Sequence, residues 1–139
     1  WCSAGNIGAA KVAEELVTSM ASNGAAIRVV DAMPDVQALK ENAESAVMLL
    51  YLNKDTWVEQ GEVLERDVRA ARKLQADLKV VLVHENDKAK GGCEFGDLFG
   101  TTPQELIDDG IYRSGRRLSL IACCPIERAI TSALCTLWQ

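Results

Sequence analysis

An α/β fold built on a parallel sheet, with helices covering both faces, is what this sequence predicts. The first observation is that amphipathic helical stretches alternate with short apolar runs along the chain. The second is that those runs, above all Val80-Val-Leu-Val83, are unbroken and not alternating, as in strands buried on both faces. The third is that the connections are short, which leaves helical crossovers as the means of joining parallel strands.

Taken in order, Ala9, Val12, Ala13, Leu16, Val17 and Met20 recur at three- and four-residue spacing and predict the first helix, with Asn23-Gly24 as its stop. Residues 26–30 read as a short strand. A loop through Met33-Pro34 leads to a helix with Val36, Leu39 and Ala43 on one side, and residues 46–52 form the next strand. Leu64, Val68, Ala71 and Leu74 set a helix over 58–74, followed by a strand over 80–83. Glycines 91, 92 and 96 mark 88–100 as a loop with a turn around Phe95 and Phe99. Thr102-Pro103-Gln104-Glu105 carries a capping Thr, Pro at the first helical position and Glu three residues after the cap, for a short helix ending near Gly110. A last strand covers 118–124, and from Pro125 the residues Ile126, Ala129, Ile130, Ala133, Leu134 and Leu137 hold helical register.

One departure stands out. A regular series opens on a strand, yet this chain opens on Trp1-Cys-Ser-Ala-Gly-Asn ahead of its first helix. Either the domain is a fragment whose first strand is missing, or an unrelated segment fills that place.

With 139 residues the chain makes one domain, and a 48% apolar, 25% charged composition is globular. No stretch approaches the roughly eighteen apolar residues of a membrane span. A net charge of −5 opposes a nucleic-acid surface, and Arg113, Arg116 and Arg117 read as a solvated loop. The cysteines at 2, 93, 123, 124 and 135 have no CxxC pairing, which reads as reduced thiols of a cytoplasmic protein. One histidine and irregular cysteines exclude a His-rich or tetrahedral zinc site.

Four places invite a chemical reading. With Leu64 at zero on a helical wheel, Val68 falls at about +40°, Ala71 at about −20° and Leu74 at about −80°. Asp67 lands at about −60°, inside the apolar arc, whereas Glu65 lies near +100° at its edge. A carboxylate on a core-facing stripe is costly unless paired, bonded or facing a cavity, so Asp67 is either a functional group or a partly exposed acid paired with Arg66 or another arginine. At the mouth of the 80–83 strand, His84 is either a general acid or base oriented by Glu85 or Asp87, or a strand-end histidine bonded to a backbone carbonyl. Cys93 would be its nucleophile in a Cys-His arrangement. Finally, Gly5-Asn-Ile-Gly8 before a helix is similar to a phosphate-binding turn, but the full GxGxxG and its preceding strand are absent. Asp31-Ala-Met-Pro34 lacks the acidic pair that a phosphoacceptor site needs.

Beyond these readings, Ser45-Ala-Val-Met-Leu-Leu-Tyr-Leu-Asn53, Asp55-Thr-Trp57, Leu64-Glu-Arg-Asp-Val-Arg-Ala-Ala71 and Val80-Val-Leu-Val-His84 together resemble the middle of a Toll/interleukin-1 receptor (TIR) domain. They look most like the divergent TIR-like domains of large multidomain proteins in protists and algae, and Trp1-Cys-Ser-Ala-Gly5 looks like the loop after the first TIR strand. The resemblance spans nearly the whole chain through hydrophobic order and short motifs. It implies a flavodoxin-like parallel sheet of four to five strands, in family order 2-1-3-4-5, with residues 1–139 a single domain truncated before Trp1.

The same resemblance implies two kinds of work. TIR domains assemble with one another in signalling, so the partners would be other TIR-like domains, a further copy of this chain or the rest of a multidomain protein. Faces for this would include the Met33-Pro34 loop and the helix after Thr102. Some TIR domains instead cleave NAD at the nicotinamide-ribose bond, with a glutamate on the third helix in a pattern like Trp-Cys-x-x-Glu-Leu. Matching apolar positions puts Asp67 where that glutamate stands. Aspartate is one methylene shorter and withdraws the carboxylate by about 1.5 Å. Glu65 keeps the chemistry but needs a two-residue shift. Trp1, Ser3, Asp31 and Trp57 would border the NAD site. No cofactor is required; NAD would be the substrate.

Overall fold

The computed structural model describes residues 1–21, 26–42, 44, 46–74, 78–114 and 117–119. Helix α1 (Ala9–Ala21) and helix α2 (Val36–Glu41) precede strand β1 (Ala46–Leu52), helix α3 (Gly61–Lys73) and strand β2 (Leu78–His84). Short 3-10 turns at Lys88–Lys90 and Phe95–Gly100 then lead to α4 (Gln104–Asp108), α5 (Ile111–Ser114) and β3 (Arg117–Ser119). Among the described residues the sheet has three strands in the order β1-β2-β3, parallel throughout. The protein is thus mixed α/β.

β1 explains how the first residues join this sheet. Its even-numbered residues turn their main chain toward β2; the Leu52 carbonyl, for example, accepts the Glu85 N–H. Its odd-numbered residues turn the other way. There the Trp1 amino group donates to Val47 O at 2.8 Å, and Leu49 N–H donates back to Trp1 O at 2.9 Å. These two bonds have the pattern of a parallel ladder, so Trp1 to Ser3 run alongside β1.

Beyond Ser3 the ladder is continued by a side chain. The Asn6 carboxamide accepts the Tyr51 N–H through Oδ1 at 2.7 Å and donates from Nδ2 to Tyr51 O at 2.8 Å. A carboxamide has the same donor and acceptor as a peptide group, so Asn6 satisfies buried main chain where a strand neighbour would otherwise stand.

The core has two layers, one on each face of the sheet. Leu64, Val68 and Ala71 of α3 pack on Met48, Leu50, Leu52 and Leu82, extended by Trp57, Leu98, Leu106, Ile111 and Tyr112. On the other side Ala9, Ala13 and Leu16 of α1 meet Tyr51, Val81 and Val83. The stripes expected for both helices are therefore the ones buried.

Several expectations need correction. Residues 26–30 form no strand; their backbone link is the bond from Cys2 N–H to Val30 O at 2.9 Å, and one bond makes no ladder. The helix expected from residue 58 starts at Gly61, because 53–60 form turns, with Thr56 Oγ1 accepting the Asn53 N–H. β2 is longer than 80–83, running Leu78–His84. Thr102 does not cap α4: its hydroxyl donates to Leu98 O at 2.6 Å, and Pro103 stands at the cap position. The short α5 was not anticipated. β3 overlaps the start of the strand expected over 118–124, while the stop at Asn23-Gly24, Ala43, Arg116, Cys123-Cys124 and the helix from Pro125 lie outside the described residues.

Candidate functional site

Asp67 sits in the second turn of α3, and its side chain is 20% exposed. Ser3 Oγ donates to its Oδ2 at 2.7 Å, and Arg66 approaches Oδ1 at 3.2 Å from Nε and Nη2. Ser3 is itself buried and accepts the Gly5 N–H at 3.1 Å. The backbone makes this possible: a Cβ on Gly5 would lie 2.8 Å from Leu64 N, so only glycine lets the loop lie this close to α3. Both carboxylate oxygens thus have partners, which is how a half-buried acid is tolerated on an apolar stripe.

The other residues implied by the resemblance divide between neighbourhoods. Trp1 is two residues from Ser3 but belongs to the core, with its indole Nε1 buried and unpartnered among the described residues. Asp31 is exposed and follows Val30, whose bond to Cys2 brings that loop beside Ser3. Trp57 is buried in a different place: its Nε1 donates to Tyr112 Oη at 3.3 Å, and that hydroxyl meets Thr102 Oγ1 at 2.6 Å. Phe95 and Phe99 surround Tyr112, with ring centroids 5.2 Å and 5.0 Å away. Glu65 accepts from Arg69 at 2.6 Å, and Arg69 also pairs with Glu105 of α4. Ser3 and Asp67 are therefore brought together, Trp1 and the Asp31 loop adjoin them, and Trp57 and Glu65 do not.

At the mouth of β2 the bland alternative for His84 is the one seen. His84 is buried, its Nε2 lies 2.9 Å from Cys93 O, and its ring meets Phe95 edge-on at 5.4 Å. Glu85 serves elsewhere, accepting from Tyr51 Oη at 2.9 Å and from Asp87 N at 2.8 Å. Cys93 presents its carbonyl to His84, and burial, reinforced by Asp97 and Asp55, pushes its thiol pKa up. A neutral thiol is a poor nucleophile, so the pair lacks the activation a Cys-His dyad requires. Burial also raises the Tyr51 hydroxyl pKa strongly, with Glu85 adding to the effect.

Beyond Ser3, Asn6 pairs with the Tyr51 main chain, and the Thr56 hydroxyl approaches Tyr51 O at 3.1 Å and Asn53 Oδ1 at 3.3 Å. Two concavities open on α3. Arg69, Arg72, Lys73 and Asp109 line one; Glu62, Glu65, Arg66, Arg69, Ala70 and Lys73 line the other. Asp67 lines neither. No group of three His, Cys, Asp or Glu converges for a metal among the described residues, and none of their helices is long and apolar enough to cross a membrane.

Sequence reasoning missed Asn6, Tyr51 and Tyr112. Asn6 had one signal, its place between glycines 5 and 8; the partners of the tyrosines lie 34 and 10 residues away and leave no local trace.

Comparison with protein-family models, with curated proteins and with solved structures finds no match. Fold and site together define a mixed α/β protein with a small parallel sheet, in which a hydrogen-bonded Ser3–Asp67 pair joins the first residues to α3.

Proposed function

We propose that this chain is a TIR-like interaction module that works by self-association. The carrying observation is the placement of its exposed large apolar side chains: Ile7, Met33, Val58 and Phe99, between 44% and 62% exposed. Ile7, Met33 and Val58 lie on the loops that follow the Trp1–Ser3 segment, residues 26–30 and β1, and Phe99 lies in the Phe95–Gly100 turn beyond β2. Apolar groups scattered singly mean little, so the proposal takes these loops to form one interaction surface. The occupant is a second copy, as the TIR resemblance implies.

The flavodoxin-like arrangement belongs to this reading. Its support is the parallel order β1-β2-β3 and the Trp1–Ser3 segment bonded to the side of β1 away from β2, with residues 26–30 linked to Cys2 by one bond among the described residues. The family order 2-1-3-4-5 is part of the proposal: Trp1–Ser3 would stand in the first strand's place and 26–30 in the second's.

The test is sedimentation velocity over a hundredfold range of concentration. The expected result is assembly that grows with concentration and is lost in the pair Met33→Glu and Val58→Glu with circular dichroism unchanged. A monomer at every concentration would sink the proposal.

One observation favours a second reading, NAD cleavage: Ser3 and Asp67, both implied by the resemblance, meet at 2.7 Å. In that reading Asp67 stabilises the positive charge developing on the ribose as nicotinamide leaves. It ranks second because both Asp67 oxygens are engaged and neither concavity reaches the residue. Nicotinamide release from NAD that disappears in Asp67→Ala would reverse the ranking.

A further inference from the structure

We propose that the basic concavity on α3 receives the acidic, aromatic turn Phe95–Gly100 of a second copy of this chain; the inference rests on the self-association proposed above and names the two surfaces that meet. Glu94, Asp97 and Phe99 are exposed at that turn, Phe99 by 44%, with its ring resting on Phe95 and Tyr112 at 5.8 Å and 5.0 Å. Residues 91–112 carry Glu94, Asp97, Glu105, Asp108 and Asp109 and neither lysine nor arginine.

Helix α3 supplies the complement. Arg66, Arg69 and Lys73 stand around Ala70 in a concavity of about 460 Å³, and the carboxylate of Glu65 on its rim is taken up by Arg69. Lys73 is exposed, and among the described residues no hydrogen bond or ion pair engages it. Arginine and lysine offer apolar stems beside charged heads, which suits a phenyl ring flanked by carboxylates. Charge argues for a second copy as the occupant: two chains of net charge −5 repel on average, so they associate only where opposite charges face each other, and each copy carries both halves of such a contact. The two halves are different patches, so the turn of one copy meets α3 of another.

Sedimentation velocity on Lys73→Glu, on Glu94→Lys and on their equimolar mixture tests this, with circular dichroism confirming that each folds as the parent does. Either variant alone sets like charges face to face and is expected to weaken association about tenfold or more. The mixture restores opposite charges at every contact and should return to parental assembly. A Lys73→Glu protein that assembles like the parent overturns the pairing while self-association stands, and that arm decides alone if Glu94→Lys disturbs its turn. With both variants folded, a mixture no better associated than its components overturns the pairing as well. A parent that is monomeric at every concentration removes both this pairing and the self-association beneath it.

Discussion

At the scale of single residues, Asn6 and Asp67 illustrate what local pattern can and cannot reveal. The helical wheel placed Asp67 on the apolar side of its helix, and its partial burial agrees. Its partner Ser3 is 64 residues away, a distance no periodicity spans. Ser3→Ala removes a hydrogen bond to a charged acceptor and is expected to cost about 1.5–3 kcal/mol. Asn6→Ala is expected to cost more, about 2–5 kcal/mol, because it strips partners from both the buried N–H and the buried C=O of Tyr51. Urea unfolding checks both: the midpoint should fall with an unchanged slope, and by more for Asn6. An Asn6→Ala protein as stable as the parent would mean that water or a shifted loop replaces the carboxamide.

At the scale of elements, what was legible is what carries its own pattern. α1 and α3 each repeat an apolar spacing that burial then respects, and β1 and residues 80–83 of β2 are unbroken apolar runs buried toward their ends. The failures came where a distant partner decides: Thr102 has the composition of a cap, yet Leu98 O and Tyr112 Oη take its hydroxyl. Likewise 26–30 has strand composition but, among the described residues, meets a single backbone bond from Cys2. Two glycines of α3's neighbourhood make the same point as an experiment. A Cβ at Gly5 would press on Leu64 N at 2.8 Å, while one at Gly61 would meet nothing within 4 Å. Gly5→Ala is therefore expected to destabilise by about 1–3 kcal/mol, as overpacking does. Gly61→Ala, at the start of α3, is expected to stabilise by up to about 1 kcal/mol by reducing the freedom of the unfolded chain. Thermal melts of the two variants should move in opposite directions; parallel shifts would contradict the close approach of the first loop to α3.

At the scale of the whole molecule, both layers bury an ionisable hydroxyl, and this ties the fold to alkaline pH. Tyr51 lies under α1 and Tyr112 lies in the layer that holds α3. Burial is the largest cause that raises the pKa of each, with Glu85 adding to it at Tyr51. Cys2, also under α1, has its thiol raised by burial, which outweighs the opposing charge of the Trp1 amino group, with Glu14 adding a smaller push upward. For all three the protonated form is neutral, and the folded state holds its proton more tightly than the unfolded chain does. Their contribution to stability is thus fully present below the unfolded values, about 8.5 for a thiol and about 10 for a phenol, and is lost as pH rises through the folded values. Stability should stay level on their account near neutrality, begin to fall above about pH 9, and fall more steeply above about pH 10. Each group adds at most about 1.4 kcal/mol per pH unit to that slope. Tyr51→Phe removes one such group: the variant loses the Glu85 hydrogen bond at neutral pH but should decline less steeply above about pH 10. Urea unfolding of both proteins at intervals from about pH 7 to 11 measures the two slopes. Identical slopes would show that Tyr51 ionises as freely in the folded protein as in the unfolded chain, and the packing of α1 over its ring would then have to be looser than the structure has it.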